Sequence, residues 1–451
     1  MPQLPLAEVG VIGESVVFSA LLISATIIFL TSTVWEEACA WLKLPPVLGQ
    51  LMGGLLLGVS ALKILVFAEG EFAINPGVIE LIRQTTATDV TSATIAYTHQ
   101  LIAISEGAAN LGVIALLFFI GLESDFDQLL RVGPQAAMVA GAGVILPFLL
   151  GTLGLMTLFE VAPLPAIFSG AALTATSIGI TAKVLQELGH LKSKEGQIII
   201  GAAVLDDLLG ILILALVVSL VKDGTVDLAG LAYLLLTTVV FVGSVAWLRT
   251  PIGQAFEAIT GRLRSENSLL IGAIIFALLV AAIANAIHLE AILGAFAAGV
   301  VLSGITQREA LLEQFQPMVG VLAPVFFIVV GAKTDLSVLS PNNPESLAGL
   351  AIAAFLILVA ILGKIAAGYL IPHAASVNRL AIGMGMVPRG EVGLVFVGIG
   401  ASLNILSSAL TAAIVLMVIA TTFIAPLLLR WTLGSKVVAP SHLIAKSTTD
   451  A

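Results

Sequence analysis

Asp206 and Asp207 stand side by side in the window Ile198 to Val221, which holds no other charged residue. A bare carboxylate is costly in apolar surroundings, so such a group holds a proton, a cation or a paired base. Lys364 is the only charge in another apolar window, 346–371. Adjacent helical residues point about 100° apart. One aspartate can therefore face Lys364 while the other lines a cavity. Thr174, Thr176, Ser177, Gly179 and Thr181 crowd a third window, 163–188, and Gly383, Gly385, Pro388, Gly390 and Gly393 surround Arg389 and Glu391 in a fourth, 379–403. Both compositions discourage continuous helix. The freed carbonyls and half-helix ends of a break inside a bilayer are natural ligands for a small cation.

The elements that carry these residues are membrane spans. The chain has 451 residues, 59% hydrophobic and only 10% charged, with mean hydropathy +1.12. A span needs about 20 apolar residues, and the pattern predicts an all-α polytopic membrane protein of about thirteen helices. They fall near 11–35, 45–67, 106–122, 134–159, 163–188, 196–221, 228–248, 268–287, 290–304, 317–333, 346–371, 379–403 and 406–432. The stretch 68–104 reads as a polar outer loop. The first window lacks a basic leader, since no Lys or Arg precedes Lys43, and is read as a true helix. Counted along the helices, the aspartates lie roughly 12 Å, Lys364 about 11 Å, Thr176 about 18 Å and Pro388 about 14 Å from the same face. The polar residues thus converge on one layer.

Twelve Lys and Arg residues in the connections and tail fall on one side and four on the other, which predicts the N-terminus outside, or in an organelle lumen, and the C-terminus in the cytoplasm. The same halves repeat. Leu44, Leu48, Gly49, Gly54 and Leu57 recur 245 residues later as Leu289, Leu293, Gly294, Gly299 and Leu302. Phe118, Phe119 and Ile120 recur as Phe326, Phe327 and Ile328, and Gly121 and Asp125 as Gly331 and Asp335. Matching helices are seven spans apart, so the second unit enters from the opposite side. An inverted repeat places a transporter's substrate site near mid-membrane.

Thr174 to Thr181, Leu205-Asp206-Asp207, Gly363-Lys364 and Met386-Val387-Pro388-Arg389-Gly390-Glu391 together resemble the second large family of monovalent cation:proton antiporters, in its sodium/proton branch, over nearly the whole transmembrane length. The resemblance implies an inverted-repeat fold with two broken, crossing helices and a homodimer. It implies scaffold helices in 1–133 and 268–345, core helices in 134–227 and 346–432, a linking helix in 228–267 and a short tail, 433–451, without the nucleotide-binding domain many relatives append. It assigns cation binding to Asp207, with Thr176 and Ser177 beside it and Asp206 as a further ligand, and pairs Asp206 with Lys364. Thr174, Pro388, Arg389 and Glu391 support the break. The implied activity is exchange of Na+ for H+, with Li+ also accepted, by alternating access and with net charge movement, in a plasma or thylakoid membrane.

Other readings follow from the same residues. Asp206 and Lys364 form only a structural pair in one; in another, the threonines bond back to their own helix. Arg389 and Glu391 are expected to neutralise each other and the broken ends, and Lys183 to reach toward the interface. Potassium/proton exchange uses the same machinery. A channel lacks a repeated carbonyl filter here, and an intramembrane aspartyl protease needs carboxylates from two helices. Single Cys39 excludes a disulfide framework, no cofactor is called for, and the net charge of −9 offers no face to nucleic acid.

Overall fold

The computed structural model describes residues 14–42, 44–66, 74–223, 228–263, 265, 267–334, 344–372, 376–403 and 405–434. Asp335, His373 and the tail beyond 434 lie outside the described residues. Each expected window contains helix: α1 Glu14–Trp41, α2 Pro46–Leu57, then two helices α3 Pro76–Thr86 and α4 Val90–Ile102, followed by α5 Ala109–Glu123, α6 Phe126–Leu158, α7 Pro163–Ala172, α8 Ile178–Glu187 and α9 Lys194–Asp223. The second half runs through α10 Leu228–Thr260, α11 Ser268–Ala286, α12 Ala291–Leu302, α13 Arg308–Ala332, α14 Pro344–Tyr369, α15 Arg379–Gly385, α16 Glu391–Ser402 and α17 Ser408–Leu433. The third and fourth polar windows are each split, as α7 and α8 and as α15 and α16.

Two expectations change. From residue 74 onward the stretch read as a loop forms α3 and α4, because Asn75 and Asp89 accept from the first free amides of each helix, which leaves the turns satisfied. Val78, Ile79 and Ile82 are buried, and Tyr97 and Gln100 bond to Ile64 and Ser24. The short polar stretch is therefore a packed helical hairpin. Prolines also mislead about boundaries. Pro134 and Pro147 lie inside α6, Pro251 inside α10, and Pro317 and Pro324 inside α13. The division expected at 133/134 consequently falls within one continuous helix. In a membrane protein neighbouring helices re-satisfy the carbonyls a proline frees.

The repeat is visible in backbone packing. α2 and α12 each have 12 residues and coincide at the 245-residue offset. Gly54 of α2 lies against the Ile328 carbonyl and Gly331 of α13, while its counterpart Gly299 of α12 lies against the Phe118 carbonyl and Gly121 of α5. Gly49 meets Trp35 of α1, and Gly294 meets Val280 of α11, again 245 residues on. These are close backbone approaches that only hydrogen at Cα permits. Gly299→Ala places a methyl into the Phe118 carbonyl and is expected to cost about 1–3 kcal/mol by overpacking. Thermal unfolding of the detergent-solubilised protein checks this; an unchanged midpoint would remove the close packing.

Large apolar side chains are exposed along α1 and α10, as on a lipid-facing surface, whereas Phe118, Phe315 and Phe327 fill the centre. Arg308 at the start of α13 donates to the carbonyls of Leu122 and Glu123 at 2.8 and 2.7 Å, satisfying the end of α5.

Candidate ion site

Two interrupted helices meet at the site. The chain leaves α7 at Ala172 and resumes helix at Ile178; it leaves α15 at Gly385 and resumes at Glu391. The exposed backbone of each break is satisfied by the other. The Ser177 amide donates to the Pro388 carbonyl at 2.8 Å. Thr176 Oγ1 donates to the Met386 carbonyl at 3.0 Å, and Thr181 Oγ1 to the Gly385 carbonyl at 2.9 Å. Gly390 packs against Ser177, and a side chain there would overlap its hydroxyl. The breaks are thus crossed and mutually capped.

Arg389 is fully buried at the crossing and donates from Nη1 to the carbonyls of Thr174 and Ala175 at 2.8 and 2.5 Å. Its positive charge complements the carbonyl end of α7. The Arg389 carbonyl accepts from Thr422 of α17 at 2.5 Å. The side chain of Glu391 lies outside the described residues, so its expected pairing with Arg389 has no geometry here. Of the threonines, Thr174 bonds back to Ala171 in its own helix, whereas Thr176 and Thr181 cross to the other break.

Asp206 and Lys364 come together as their depths predict: Lys364 Nζ donates to Asp206 Oδ1 at 2.8 Å, and both side chains are fully buried. The lysine stem fits because position 143 of α6 is glycine; a methyl there would lie 3.2 Å from Cδ and Nζ. Arg389 is within electrostatic reach of Asp206. Asp207, half-buried, turns away from this pair into a cavity of about 20 Å³. Thr176, Ser177, Gly390, Val113 and Ile292 share its wall. A water needs roughly 10–15 Å³ of such space, so one water or one desolvated monovalent ion fits.

Val113 and Ile292 also border a larger cavity of about 440 Å³, which Asn110, Asn285 and Glu290 line at an exposed rim. The two cavities therefore adjoin at Val113 and Ile292, beside the start of α12. Among the described residues no three His, Cys, Asp or Glu side chains converge. A lone carboxylate with hydroxyl and carbonyl oxygens is poor for a transition metal and suits a hard, singly charged cation. Sequence reasoning did not single out Gly143, Thr422 or Glu187, which bonds to α2. The Thr421-Thr422 pair in an apolar span was a readable signal for the second; the others look ordinary until their partners are placed.

Crossed broken helices, an inverted repeat and a buried ion pair beside a cation-sized cavity define a secondary transporter. The sodium/hydrogen exchanger transmembrane family profile matches residues 22–434, and the chain belongs to that family. It is 51% identical over 415 residues to the high-affinity Na+/H+ antiporter NhaS3 of Synechocystis, covering 92% of this chain and 90% of that one. The Na+/H+-K+ antiporter GerN of Bacillus cereus is 33% identical over 333 residues, covering 73% and 83%. The sodium proton antiporter MjNhaP1 of Methanocaldococcus jannaschii superposes with TM-score 0.60 at 15% identity, over 93% of this chain and all of that one, a likeness of fold.

Proposed function

We propose that this protein exchanges sodium for protons across a membrane by alternating access, with Asp207 as the site for which the two compete. The observation that carries this is the division of labour between adjacent carboxylates: Asp206 is neutralised by Lys364 at 2.8 Å, while Asp207 faces the cavity lined by Thr176 and Ser177. In that apolar setting Asp207 is costly to leave bare, so each return trip carries a proton or a cation. Competition for one carboxylate is the coupling.

Helices α6 to α9 and α14 to α17 act as the moving core, tied at the crossed breaks, and α1, α2, α5 and α11 to α13 as the scaffold, with α10 linking the halves. A second copy of the chain joins through the scaffold. The excess of Lys and Arg places the start of α9 in the cytoplasm and the rim at Glu290 outside or in a lumen. The membrane is plasma or thylakoid. If Lys364 yields its proton as well, two protons move per sodium and charge crosses the membrane. Lithium fits the same oxygen set. Potassium exchange is the second reading, favoured by the likeness to the Na+/H+-K+ antiporter of Bacillus cereus.

The test is proton flux in proteoliposomes on adding sodium, lithium and potassium in turn. Saturable alkalinisation or acidification driven by sodium is expected. A response to potassium alone would move the reading to its alternative, and flux without proton coupling would remove both.

A further inference from the structure

Glu187 ends the half-helix α8, whose other end carries Ser177 and the ion cavity. Its carboxylate reaches a different unit: the Val47 amide donates to both its oxygens, at 3.2 and 3.3 Å. Val47 stands in the first turn of α2, where an amide has no partner within its own helix. The carboxylate thus caps α2 from outside, with the added attraction of a negative charge for a helix N-terminus. Lys183 of α8 lies 3.6 Å away, and the Glu187 side chain is only 10% exposed. From α1, Glu36 and Cys39 face the same spot, and Glu36 accepts from Gln50 of α2 and from Ser32. Lys183, expected to reach for the interface, instead neutralises this carboxylate.

The repeat makes the placement informative. Val47 corresponds to Ile292 at the 245-residue offset, and these residues open α2 and α12 on opposite faces. Ile292 borders both the ion cavity and the larger cavity that opens at Asn285 and Glu290. Glu290, preceding α12, makes no side-chain bond to that helix's first amides. One repeat is clamped at its start by a carboxylate from α8; the other borders the open path.

We infer that Glu187 is a positioning residue that clamps α8 to α2 on the face away from the open cavity, and so sets which face Asp207 addresses. The inference rests on the alternating-access reading, in which α8 moves against α2. Opening the Glu187 face requires the Val47 bond to part. Weakening it shifts the population toward that face, where apparent sodium affinity then rises as the other face's falls.

The experiment uses the full chain with Glu187→Gln, which keeps the shape and loses the charge, and Glu187→Asp, which keeps the charge one methylene further away. Hydrogen exchange of the Val47 amide is expected to quicken by about tenfold in Glu187→Gln, the scale of one charge-assisted bond. In oriented proteoliposomes, the ratio of sodium KM at the Glu187 face to that at the Glu290 face should fall by several-fold, with Glu187→Asp between it and wild type. Unchanged Val47 exchange would remove the bond. Faster exchange with an unchanged KM ratio would reduce Glu187 to a local cap and overturn the inference. Absence of sodium-driven flux in the wild-type protein would instead remove the antiport reading, and this inference with it.

Discussion

Asp207→Asn is expected to abolish exchange. An amide fills the same space and still offers an oxygen to the cavity, but it carries no charge for a cation to neutralise and takes up no proton near neutral pH. The alternation between two occupants ends with it. Sodium-dependent dequenching of a pH-sensitive dye in proteoliposomes should fall to the level of empty vesicles, while the fold survives because Asp207 lies outside the buried pair. Wild-type amplitude in this variant would displace Asp207 from the centre of the mechanism. Asp206→Asn is the informative partner, since its carboxylate is held by Lys364 and not by the cavity.

The second large effect is on stability. Lys364→Ala leaves the Asp206 carboxylate fully buried with its Oδ1 partner gone, and its Oδ2 has no hydrogen-bond partner among the described residues. Breaking a buried pair from one side costs about 3–5 kcal/mol, read as a clear drop in the thermal midpoint of the solubilised protein. An unchanged midpoint would argue that the pair is not formed in the membrane. Lys364→Gln separates structure from coupling: lysine can lose its proton when desolvated, and glutamine carries none. If Lys364 carries the second proton, this variant exchanges without sensitivity to membrane potential; a one-to-one reversal potential in the wild-type protein would leave Lys364 purely structural.

What was readable in the chain, and what was not, follows from the range of each interaction. Apolar windows report burial in lipid directly, so the spans could be placed from composition, and the Gly and Thr clusters at 174–181 and 383–393 marked both breaks. The Asp206 to Lys364 contact, 158 residues apart, was accessible because unpaired charge at one depth has few places to go. Helix ends were less accessible. Proline discourages helix locally, yet α6, α10 and α13 run through theirs because tertiary neighbours compensate, and only the folded chain supplies them. The partners of Thr181 and Arg389 escaped for a related reason: they are backbone carbonyls, which every residue has, so no pattern of side chains reveals them. Glu187 sits where a span ends and looks like an ordinary solvated terminus until α2 arrives beside it.

The short helices α2 and α12 bear on how voltage reaches the site. Each has 12 residues, about 18 Å of rise, against a hydrocarbon core of about 30 Å. The cavity of about 440 Å³ beside α12 has an exposed rim and shares Val113 and Ile292 with the wall of the Asp207 cavity. Because water-filled space conducts, the electrical potential falls mainly across the remaining protein wall, and the field there is steeper than the bilayer average. A full potential of 100 mV is worth roughly 2.3 kcal/mol for each elementary charge carried through it. Concentrated over a thin wall, that energy is felt over a displacement of a few ångströms, so a modest shift of α8 and α9 would carry Asp207 through most of the electrical distance between the two sides.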